Sequence, residues 1–308
     1  MFIIPPLFWR SSYLELQSET AFFAGVTNSG FYLESRDETA FRTWIVVDNQ
    51  ISTFKSPCRA TFGGCWAFNL EDLKEDCITI ISQLAKRHPE MVHITVYLPP
   101  EFAFPFDPIL MFNVFESLGS RVVYTDIDYW ISPLNWSESS MSKGNQKKLR
   151  QWISSNGQIS EVSLSNFESV YQVILENRHS LGVEPSISAG DLENLMLNFK
   201  DEYKLYSGTV DGDIAVVAIT VQVHPRIKYV FFWADKLQYR HLSPVVAMCA
   251  HLVNTCLISN IDFLDLGIST ERGIENPGLM RFKANLGALP SPKHQISIDL
   301  DSLRKSTS

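Results

Sequence analysis

The sequence has no long hydrophobic run and no paired-cysteine motif. No apolar stretch approaches the ~18 residues that a membrane-spanning helix needs. The opening MFIIPPLFWRSSYLEL carries two prolines in its only apolar run and has no small-residue cleavage site. We therefore expect a cytoplasmic protein that does not bind membranes. Because no C-x-x-C pair is present, we expect the cysteines to be buried thiols and do not expect a metal site. The cysteines are Cys58, Cys65, Cys77, Cys249 and Cys256.

An excess of basic residues is also missing. The chain has 26 Lys and Arg against 34 Asp and Glu, so its formal net charge is −8. A broad nucleic-acid surface is therefore not expected, although a local basic groove is compatible with this balance. A glycine-rich turn from strand to helix is absent as well, which disfavours a doubly wound nucleotide-binding sheet. The length of 308 residues, 45% of them hydrophobic, suits about two globular domains.

The first half of the sequence shows strands followed by alternating helices and strands. Polar turns separate three segments rich in aromatic and β-branched residues, GFYLESR, RTWIVVDN and ISTFKSP. In the next segment, ATFGGCW, the pair Gly63-Gly64 indicates a bulge or a close backbone approach. Apolar spacing then predicts a helix over 70–87, the strand VHITVYLPP, the short helix PILMFNVFESLG and the strand SRVVYTDIDYWIS.

The second half repeats this order after a polar stretch with a charged helix over 146–154. Two helices come first, in LSNFESVYQVILENRHSLG and SAGDLENLMLNFK, and then the strands YKLYSGTV, DIAVVAITVQV and IKYVFFWAD. A helix from Ser243, the strand IDFLDLG, the helix GLMRFKANLG and the strand HQISIDL complete it. The repeat predicts an α/β (α+β) fold of two similar domains, 1–135 and 136–308, each with a mixed twisted sheet flanked by helices.

The helix start in RHLSPVVAMC, residues 240–249, is suited to an anion. Ser243 is a favoured N-cap residue and Pro244 suits the first helical position. The first turn has no Asp or Glu to offset the positive end of the helix dipole, and Arg240 and His241 precede it. An anion from outside the protein could therefore bind here.

The order of elements together with this helix start resembles the GCN5-related N-acetyltransferase (GNAT) fold occurring twice. The arrangement is similar to Fem-type peptidoglycan aminoacyltransferases and to acyl-CoA-dependent N-acyltransferases of bacterial surface-sugar pathways. The segments that carry the resemblance are SPCRATFGG, LYSGTVDGDIAVVAITV, FFWADKLQYRHLSPVV, FLDLGIST and NPGLMRFKANLGA. One motif departs from the family pattern: in Arg/Gln-x-x-Gly-x-Gly/Ala, Arg240 is kept, whereas Ser243 and Val245 replace the small residues.

The resemblance implies acyl-coenzyme A as co-substrate and a donor site in the second domain. The strands FFWAD and FLDLG would border the thioester, with a main-chain N–H near Trp233 or Ala234 as oxyanion donor. Asp265 is the first candidate for the general base and His241 the second. Alternatively, Asp265 caps a turn at the end of its strand, and His241 binds phosphate or caps the helix. The predicted donor-binding residues are Arg240, His241, Leu242, Ser243, Val245, Lys283 and Asn285.

The acceptor would meet this donor in a cleft between the two domains, according to the same resemblance. Arg178 and His179 could hold a phosphate or a sugar hydroxyl, although cations at a helix C-terminus are favourable without any ligand. If the two glycines of FGG do not contact the acceptor, they form only a strand bulge. If Lys283 does not bind a ligand, it is a solvated lysine. The predicted acceptor-binding residues are Phe62, Gly63, Gly64, Trp66, Arg178, His179 and Arg281.

We therefore expect an N-acyltransferase that acylates the amine of a nucleotide-linked amino sugar, dTDP-linked in the leading hypothesis, by direct attack. One alternative is a Fem-like enzyme that takes its aminoacyl group from tRNA. The charged segment KGNQKKLRQW would contact the tRNA in that case, and otherwise it is a solvated helix face. Another alternative is a binding protein whose tandem fold has no catalytic activity, which the missing loop glycines leave open.

Overall fold

The computed structural model describes residues 30–36, 41–50, 53–56, 61, 63–67, 73–104 and 107–306. These residues form two compact units. Unit 1 contains the described residues up to 127, together with 272–274 and those from 291 onward. Unit 2 contains 128–271 and 275–290. The C-terminal residues that the sequence analysis placed in the second domain thus belong to unit 1, and the predicted boundary at 135/136 stays a prediction.

Unit 1 follows the predicted order of strands, helix, strand, helix, strand. Its elements are β1 (Gly30–Arg36), β2 (Phe41–Gln50), β3 (Thr53–Ser56), β4 (Cys65–Ala67), α1 (Leu73–Arg87), β5 (His93–Tyr97), α2 (Pro108–Ser117), most of β6 (Arg121–Ile131), most of β14 (Leu289–Asp299) and α8 (Leu300–Ser306). The strands β1, β2 and β3 pair antiparallel in sequence, and β4 also pairs with β2. The next pairing, β3 with β5, is parallel, and β5 pairs antiparallel with β14.

Helix α1 shows why unit 1 folds as predicted. Its apolar residues recur every three or four positions, and the stripe that they form is buried in the core. Acidic residues lie in its first turn and basic residues in its last, which favours the helix dipole at both ends. Burial contributes roughly 1.5–3 kcal/mol for each large apolar side chain. The buried stripe consists of Leu73, Cys77, Ile80, Ile81 and Leu84.

Unit 2 is built on a mixed sheet in the order β6, β11, β10, β9, β8, β7. Its strands are β7 (Gln158–Val162), β8 (Tyr203–Val210), β9 (Asp213–His224), β10 (Ile227–Asp235) and β11 (Phe263–Ile268), with two-residue strands β12 (Thr270–Glu271) and β13 (Ile274–Glu275) after them. Its helices are α3 (Lys143–Ser154), α4 (Phe167–Ser180), α5 (Ala189–Asn198), α6 (Pro244–Ile258) and α7 (Pro277–Asn285). Residues 215–221 of β9 are all buried, so both faces of this strand are covered, as its unbroken apolar run indicates.

Two details of unit 2 differ from the sequence analysis. Helix α3 begins at Lys143 rather than at residue 146, because the Ser142 hydroxyl caps it by accepting from the Asn145 N–H at 3.3 Å. Strand β7 was not predicted. Its five residues, QISEV, have no buried side chain, so they carry no clear alternation of apolar and polar positions.

The described cysteines are buried free thiols, as predicted: Cys65, Cys77, Cys249 and Cys256. Cys58 lies outside the described residues. None of the helices that the structure describes has the length and apolar character needed to cross a membrane.

Candidate functional site

Strands β10 and β11 of unit 2 separate partway along their length. Their parallel pairing joins Ile227 to Phe263, Lys228 to Leu264 and Tyr229 to Asp265, and it ends there. Strand β10 continues for six more residues and β11 for three. On the side that faces β11, the end of β10 therefore borders a gap rather than a neighbouring strand. The gap lies between FFWAD and FLDLG, the two strands that were expected to border the thioester.

A bulge on β10 fixes which main-chain groups face the gap. The register with β9 shifts between Val230 and Phe232, so Phe231 is the extra residue. Beyond it, the Lys236 N–H donates to the Ala215 carbonyl at 3.0 Å. Because main-chain groups alternate in direction along an antiparallel strand, those of Trp233 and Asp235 then face away from β9, toward the gap. The Asp235 carbonyl does so, since it accepts from the Asn177 side chain at 3.0 Å.

The gap opens into a cavity of about 610 Å³ that is lined entirely by unit 2. The cavity has aromatic and aliphatic walls, contributed mainly by β10, β11 and α7, and five charged side chains also line it. The volume lies within the range of small-molecule sites. Its polar or charged lining side chains include Lys148, Asn177, Arg178, Tyr229, Asp235, Arg240, Ser243 and Lys283, and its apolar ones include Val230, Phe232, Trp233, Leu266, Leu279 and Phe282.

The start of α6 borders the cavity, but only part of it is open to a ligand. Residues Leu237–Leu242 form a 3-10 turn, and Ser243 follows with φ 48° in the left-handed region. That conformation favours glycine, the residue that the family loop has here. The predicted N-cap interaction of Ser243 is wrong. Its backbone is left-handed rather than extended, and its hydroxyl accepts no hydrogen bond from the first turn.

The amides at this helix start are also partly used. The Ser243 N–H donates to the Arg240 carbonyl and the Val246 N–H donates to the Ser243 carbonyl, each at 3.0 Å. Pro244 has no N–H. Leu242 ends the 3-10 turn, so its N–H belongs to the hydrogen bonding of that turn. The N–H of Val245 is the one amide between Leu242 and Val246 that is left for a phosphate among the described residues. As predicted, the first turn of α6 contains no acidic residue.

Arg240 lies at the edge of the cavity in a small polar network. Its Nε is 3.2 Å from Asp235 Oδ1, and the same oxygen accepts from the Asn177 side chain at 3.0 Å. The Asp235 side chain is 15% exposed and that of Arg240 41%, so water and ligands can reach the guanidinium. Lys148, exposed on α3, has no hydrogen-bond or ion-pair partner among the described residues. These two cations lie where an anionic group would meet the start of α6.

Lys283 and Asp265 occupy the buried side of the same region. The ammonium of Lys283, which is 2% exposed, donates to the carbonyls of Gly267 and Ile268 at 2.7 and 2.8 Å. These carbonyls lie at the end of β11, beyond its pairing with β10. Asp265 is fully buried, and its Oδ1 accepts from the Gly267 N–H at 2.7 Å. Its carboxylate thus caps a turn, and it is not among the residues that line the cavity.

The other predicted residues of unit 2 divide into two groups. Trp233, Ala234, Arg240, Ser243, Val245, Arg178 and Lys283 line the cavity together. Leu242, Asn285 and Arg281 do not line it, and neither do two histidines. The His241 ring contacts the Gln238 carbonyl through Nδ1 at 2.9 Å, and the His179 ring contacts Glu184 at 3.1 Å.

The predicted acceptor residues of the first half lie in unit 1. The Gly63 N–H donates to the Tyr97 carbonyl at 2.7 Å, and the Gly64 N–H donates to the Ser56 hydroxyl at 3.1 Å. Both glycines are buried, and Gly64 has φ 106°. This is the close backbone approach that the glycine pair indicated, and it uses both amides within unit 1. Phe62 and the side chain of Trp66 lie outside the described residues.

Several solved structures share this fold at low sequence identity. FemX aligns over 95% of this chain and 92% of its own, with a TM-score of 0.69 and 10% identity. L-PGS from Bacillus licheniformis aligns over 98% of this chain and 95% of its own, with a TM-score of 0.64 and 10% identity. A tandem GNAT protein from the clavulanic acid biosynthesis pathway covers 94% of each chain, with a TM-score of 0.53 and 10% identity.

The fold is GNAT-like. No protein-family model and no curated protein matches the sequence. At 10% identity the structural likeness shows the fold alone and leaves the activity and the substrate open. Groups of three or more His, Cys, Asp or Glu side chains placed to hold a metal are absent from the described residues.

Besides Tyr229 on β10, sequence reasoning missed three polar residues of the cavity. Lys148, Asn177 and Asp235 come from α3, α4 and the end of β10, and no motif links them. Only Asp235 could have been found from the sequence, because it is the last residue of FFWAD, the segment that was expected to border the thioester. The other two are ordinary helix surface residues in the sequence, and only the fold brings them to the cavity.

Proposed function

We propose that this protein is an acyltransferase that holds a phosphate-bearing acyl donor in the cavity of unit 2 and transfers the acyl group to an amine. The observation that carries the proposal is the end of β10–β11 pairing at Tyr229 and Asp265, with Trp233 beyond it facing the gap. A donor carbonyl that lies in the gap can accept from the Trp233 N–H. As the amine attacks, that N–H stabilises the charge that develops on the oxygen.

Arg240 and Lys148 would bind the phosphate end of the donor, next to the open amide of Val245. A bound phosphate competes with Asp235 for the Arg240 guanidinium, and charge-assisted contacts of this kind are among the stronger hydrogen bonds. The attacking amine must lose a proton. Asp265 is closed off by its turn, so we assign this step to Asp235, the one carboxylate among the described lining residues. Its Oδ2 has no hydrogen-bond partner within the part of the chain that the structure describes.

In its specific form, the proposal takes acyl-coenzyme A as the donor and a nucleotide-linked amino sugar as the acceptor. The amine nitrogen forms the new amide bond, the carbon–sulfur bond breaks, and the coenzyme leaves as a thiol with the proton taken from the amine. Cytoplasmic nucleotide sugars fit the four cations of the cavity, Lys148, Arg178, Arg240 and Lys283. This choice of acceptor rests on the resemblance described above.

A second candidate is transfer from an aminoacyl-tRNA to a peptidoglycan precursor. Helix α3 favours it, since it carries four exposed cations and no acidic residue, and one of them lines the cavity. FemX, which is similar in fold, supports this candidate by analogy, together with the resemblance to Fem-type enzymes. Its exposed cations are Lys143, Lys147, Lys148 and Arg150.

The test is transfer by the full-length protein from either donor. Acetyl-CoA and longer acyl-CoAs are offered with dTDP- and UDP-amino sugars while free thiol is measured, and alanyl-tRNA is offered with a peptidoglycan precursor while discharge is measured. We expect thiol release that depends on the amino sugar. Tight donor binding without turnover of either donor would instead identify a binding protein.

The matched variants are Arg240→Gln and Arg226→Gln. Arg240→Gln should raise the KM for the donor about 10-fold and leave kcat nearly unchanged, because the phosphate contact is made equally before and during the reaction. Arg226 pairs with Asp262 and does not line the cavity, so its variant should behave as the wild type. Equal KM values for the two variants would contradict the assignment of Arg240.

A further inference from the structure

Arg178 presents an oriented guanidinium to the cavity. It lies in the last turn of α4, and its guanidinium carbon is 5.6 Å from the ring centre of Phe232 on β10. Phe232 is 4% exposed, so the ring is a fixed support. A guanidinium held over an aromatic ring loses conformational freedom before any ligand binds, and its N–H groups stay directed away from the ring face.

No acceptor among the described residues uses those N–H groups. Among the residues that the structure describes, the Arg178 side chain makes no hydrogen bond and no ion pair. The neighbouring residue Asn177 binds Asp235, and the Asp235 carboxylate in turn contacts Arg240. The one carboxylate among the described lining residues therefore neutralises Arg240 and leaves Arg178 without a counter-ion.

The charges of the cavity contrast with those of the whole chain. Four cationic side chains line it against Asp235, in a protein with a formal net charge of −8. Arg240 and Lys148 stand by the start of α6, whereas Arg178 approaches from α4. A cleft lined by one sign of charge attracts the opposite sign, so the cavity favours a ligand with more than one anionic group.

The surroundings of Arg178 limit the kind of anion. Phe232 supports the guanidinium, and Leu181 from the same helix end also lines the cavity. The rest of the nearby wall is largely aromatic and aliphatic. An anionic group here would be attached to an apolar body that contacts this wall, which consists of Val230, Trp233, Leu266, Leu279 and Phe282.

We propose that Arg178 forms a second anion subsite, separate from Arg240, which binds a carboxylate or phosphate carried by the acceptor amine. The acceptor is then an anionic amine rather than a neutral or a cationic one. The identity of this ligand as the acceptor rests on the function proposed above, whereas anion binding at the subsite can be measured without any acyl transfer.

The experiment measures binding of small probes to the full-length protein by calorimetry. Two anionic probes, 3-phenylpropionate and phenyl phosphate, distinguish carboxylate from phosphate, and 3-phenylpropionamide is the neutral counterpart of the first. Pyrophosphate reports on Arg240. The variants are Arg178→Gln, Arg178→Lys and Arg240→Gln, and Lys200→Gln is the control, since it removes an exposed charge outside the cavity.

We expect Arg178→Gln to weaken binding of the preferred anionic probe about 10-fold or more, which is the size of one charged hydrogen bond. Arg178→Lys should restore part of the loss, and Lys200→Gln should change nothing. Arg240→Gln should weaken the binding of pyrophosphate and leave the affinity for the aromatic anion nearly unchanged. Retention of wild-type affinity by Arg178→Gln, or equal affinity for the propionamide and the propionate, would overturn the subsite.

The same data separate this inference from the proposed function. If anion binding depends on Arg178 but no donor supports transfer, the subsite is supported and the acyltransferase function is contradicted. Transfer to a neutral amine that is as efficient as transfer to its anionic analogue, and equally efficient in Arg178→Gln, keeps the acyltransferase and removes the subsite.

Discussion

The two units share the order of strands, helix, strand and helix, but they differ where two parallel strands meet. In unit 1, every residue of β3 pairs with β5, from Thr53 with His93 to Ser56 with Val96. In unit 2, the pairing of β10 with β11 stops after three residue pairs although both strands continue. The difference teaches that element order sets the fold, whereas the point at which pairing stops makes a binding site.

The backbone amides follow the same contrast. The glycine amides of unit 1 donate to Tyr97 and Ser56, so the protein satisfies its own donors there. In unit 2 the Trp233 amide faces the gap, and the carbonyls at the end of β11 are satisfied by a side chain, Lys283, instead of a strand. A donor that the fold leaves facing a cavity can serve a ligand, and one that it uses for itself cannot.

The largest effect should come from removing the Trp233 amide itself. Trp233→Pro and Trp233→Ala both lose the indole and its edge contact with Phe282, but only proline also removes the N–H. We expect kcat for acyl transfer in the proline variant to fall ~10²–10³-fold below that of the alanine variant, about 3–4 kcal/mol, the cost of one oxyanion donor.

Stability provides the check on this pair of variants. An N–H that faces the gap makes no ladder bond with β9, so urea unfolding should give the two variants similar free energies. A proline variant that fails to fold would mean that the Trp233 amide belongs to the sheet. Equal kcat values in two folded variants would mean that another group binds the oxyanion.

A smaller effect is expected for Lys283→Met, and it is an effect on stability. Removing the ammonium leaves the buried Gly267 carbonyl and the partly buried Ile268 carbonyl without this donor, which should lower the free energy of unfolding by about 2–4 kcal/mol. Lys148→Met is the matched control from the same cavity. Because Lys148 is exposed, its variant should change the free energy by less than about 0.5 kcal/mol.

From the sequence, Lys283 was predicted to have a different role, which is binding of the donor. If Lys283→Met unfolds at the same urea concentration as the wild type yet loses donor binding, that earlier prediction holds and the stabilising role assigned from its carbonyl contacts is wrong.

The fold was largely predictable because its signals are local. Apolar spacing, Pro244 at the start of α6 and polar turns between strands each act within a few residues, and they predicted most helices and strands. Strand β7 was not predicted because none of its side chains is buried, so its sequence shows no apolar alternation. The start of α3 was placed three residues late because the capping Ser142 lies within a polar run, where no apolar residue marks the first turn.

The site was predictable only where it coincides with such signals. The basic turn before α6 is local, so Arg240 was found, and its neighbourhood carried the family resemblance. Asp265 was chosen as the base because it stands on a strand of the site, but its carboxylate binds the amide two residues further along. Whether a carboxylate points into a cavity or caps its own turn depends on tertiary structure, as does the meeting of Lys148 with Asn177.

The smallest effect concerns pH and compares one histidine in each unit. Burial lowers the pKa of His251 in unit 2, whose ring lies edge-on to Tyr206 with 5.7 Å between ring centres. Burial also lowers the pKa of His294 in unit 1, against a weaker opposing influence of Glu101. In the unfolded chain both should titrate near the ordinary value of about 6.5. The unfolded state therefore binds more protons below that pH, and stability is lost as pH falls through the folded-state pKa values.

The measurement is the free energy of unfolding in urea at several pH values from 8 to 5 for the wild type, His251→Gln and His294→Gln. Glutamine cannot be protonated in this range, so each variant should lose less stability than the wild type on acidification, whatever its stability at pH 8. If His251→Gln alone flattened the profile, the Glu101 carboxylate would fully offset burial at His294, and the pH response would belong to unit 2. Profiles parallel to the wild type in both variants would mean that neither ring resists protonation, and the acid sensitivity would then have to come from carboxylates.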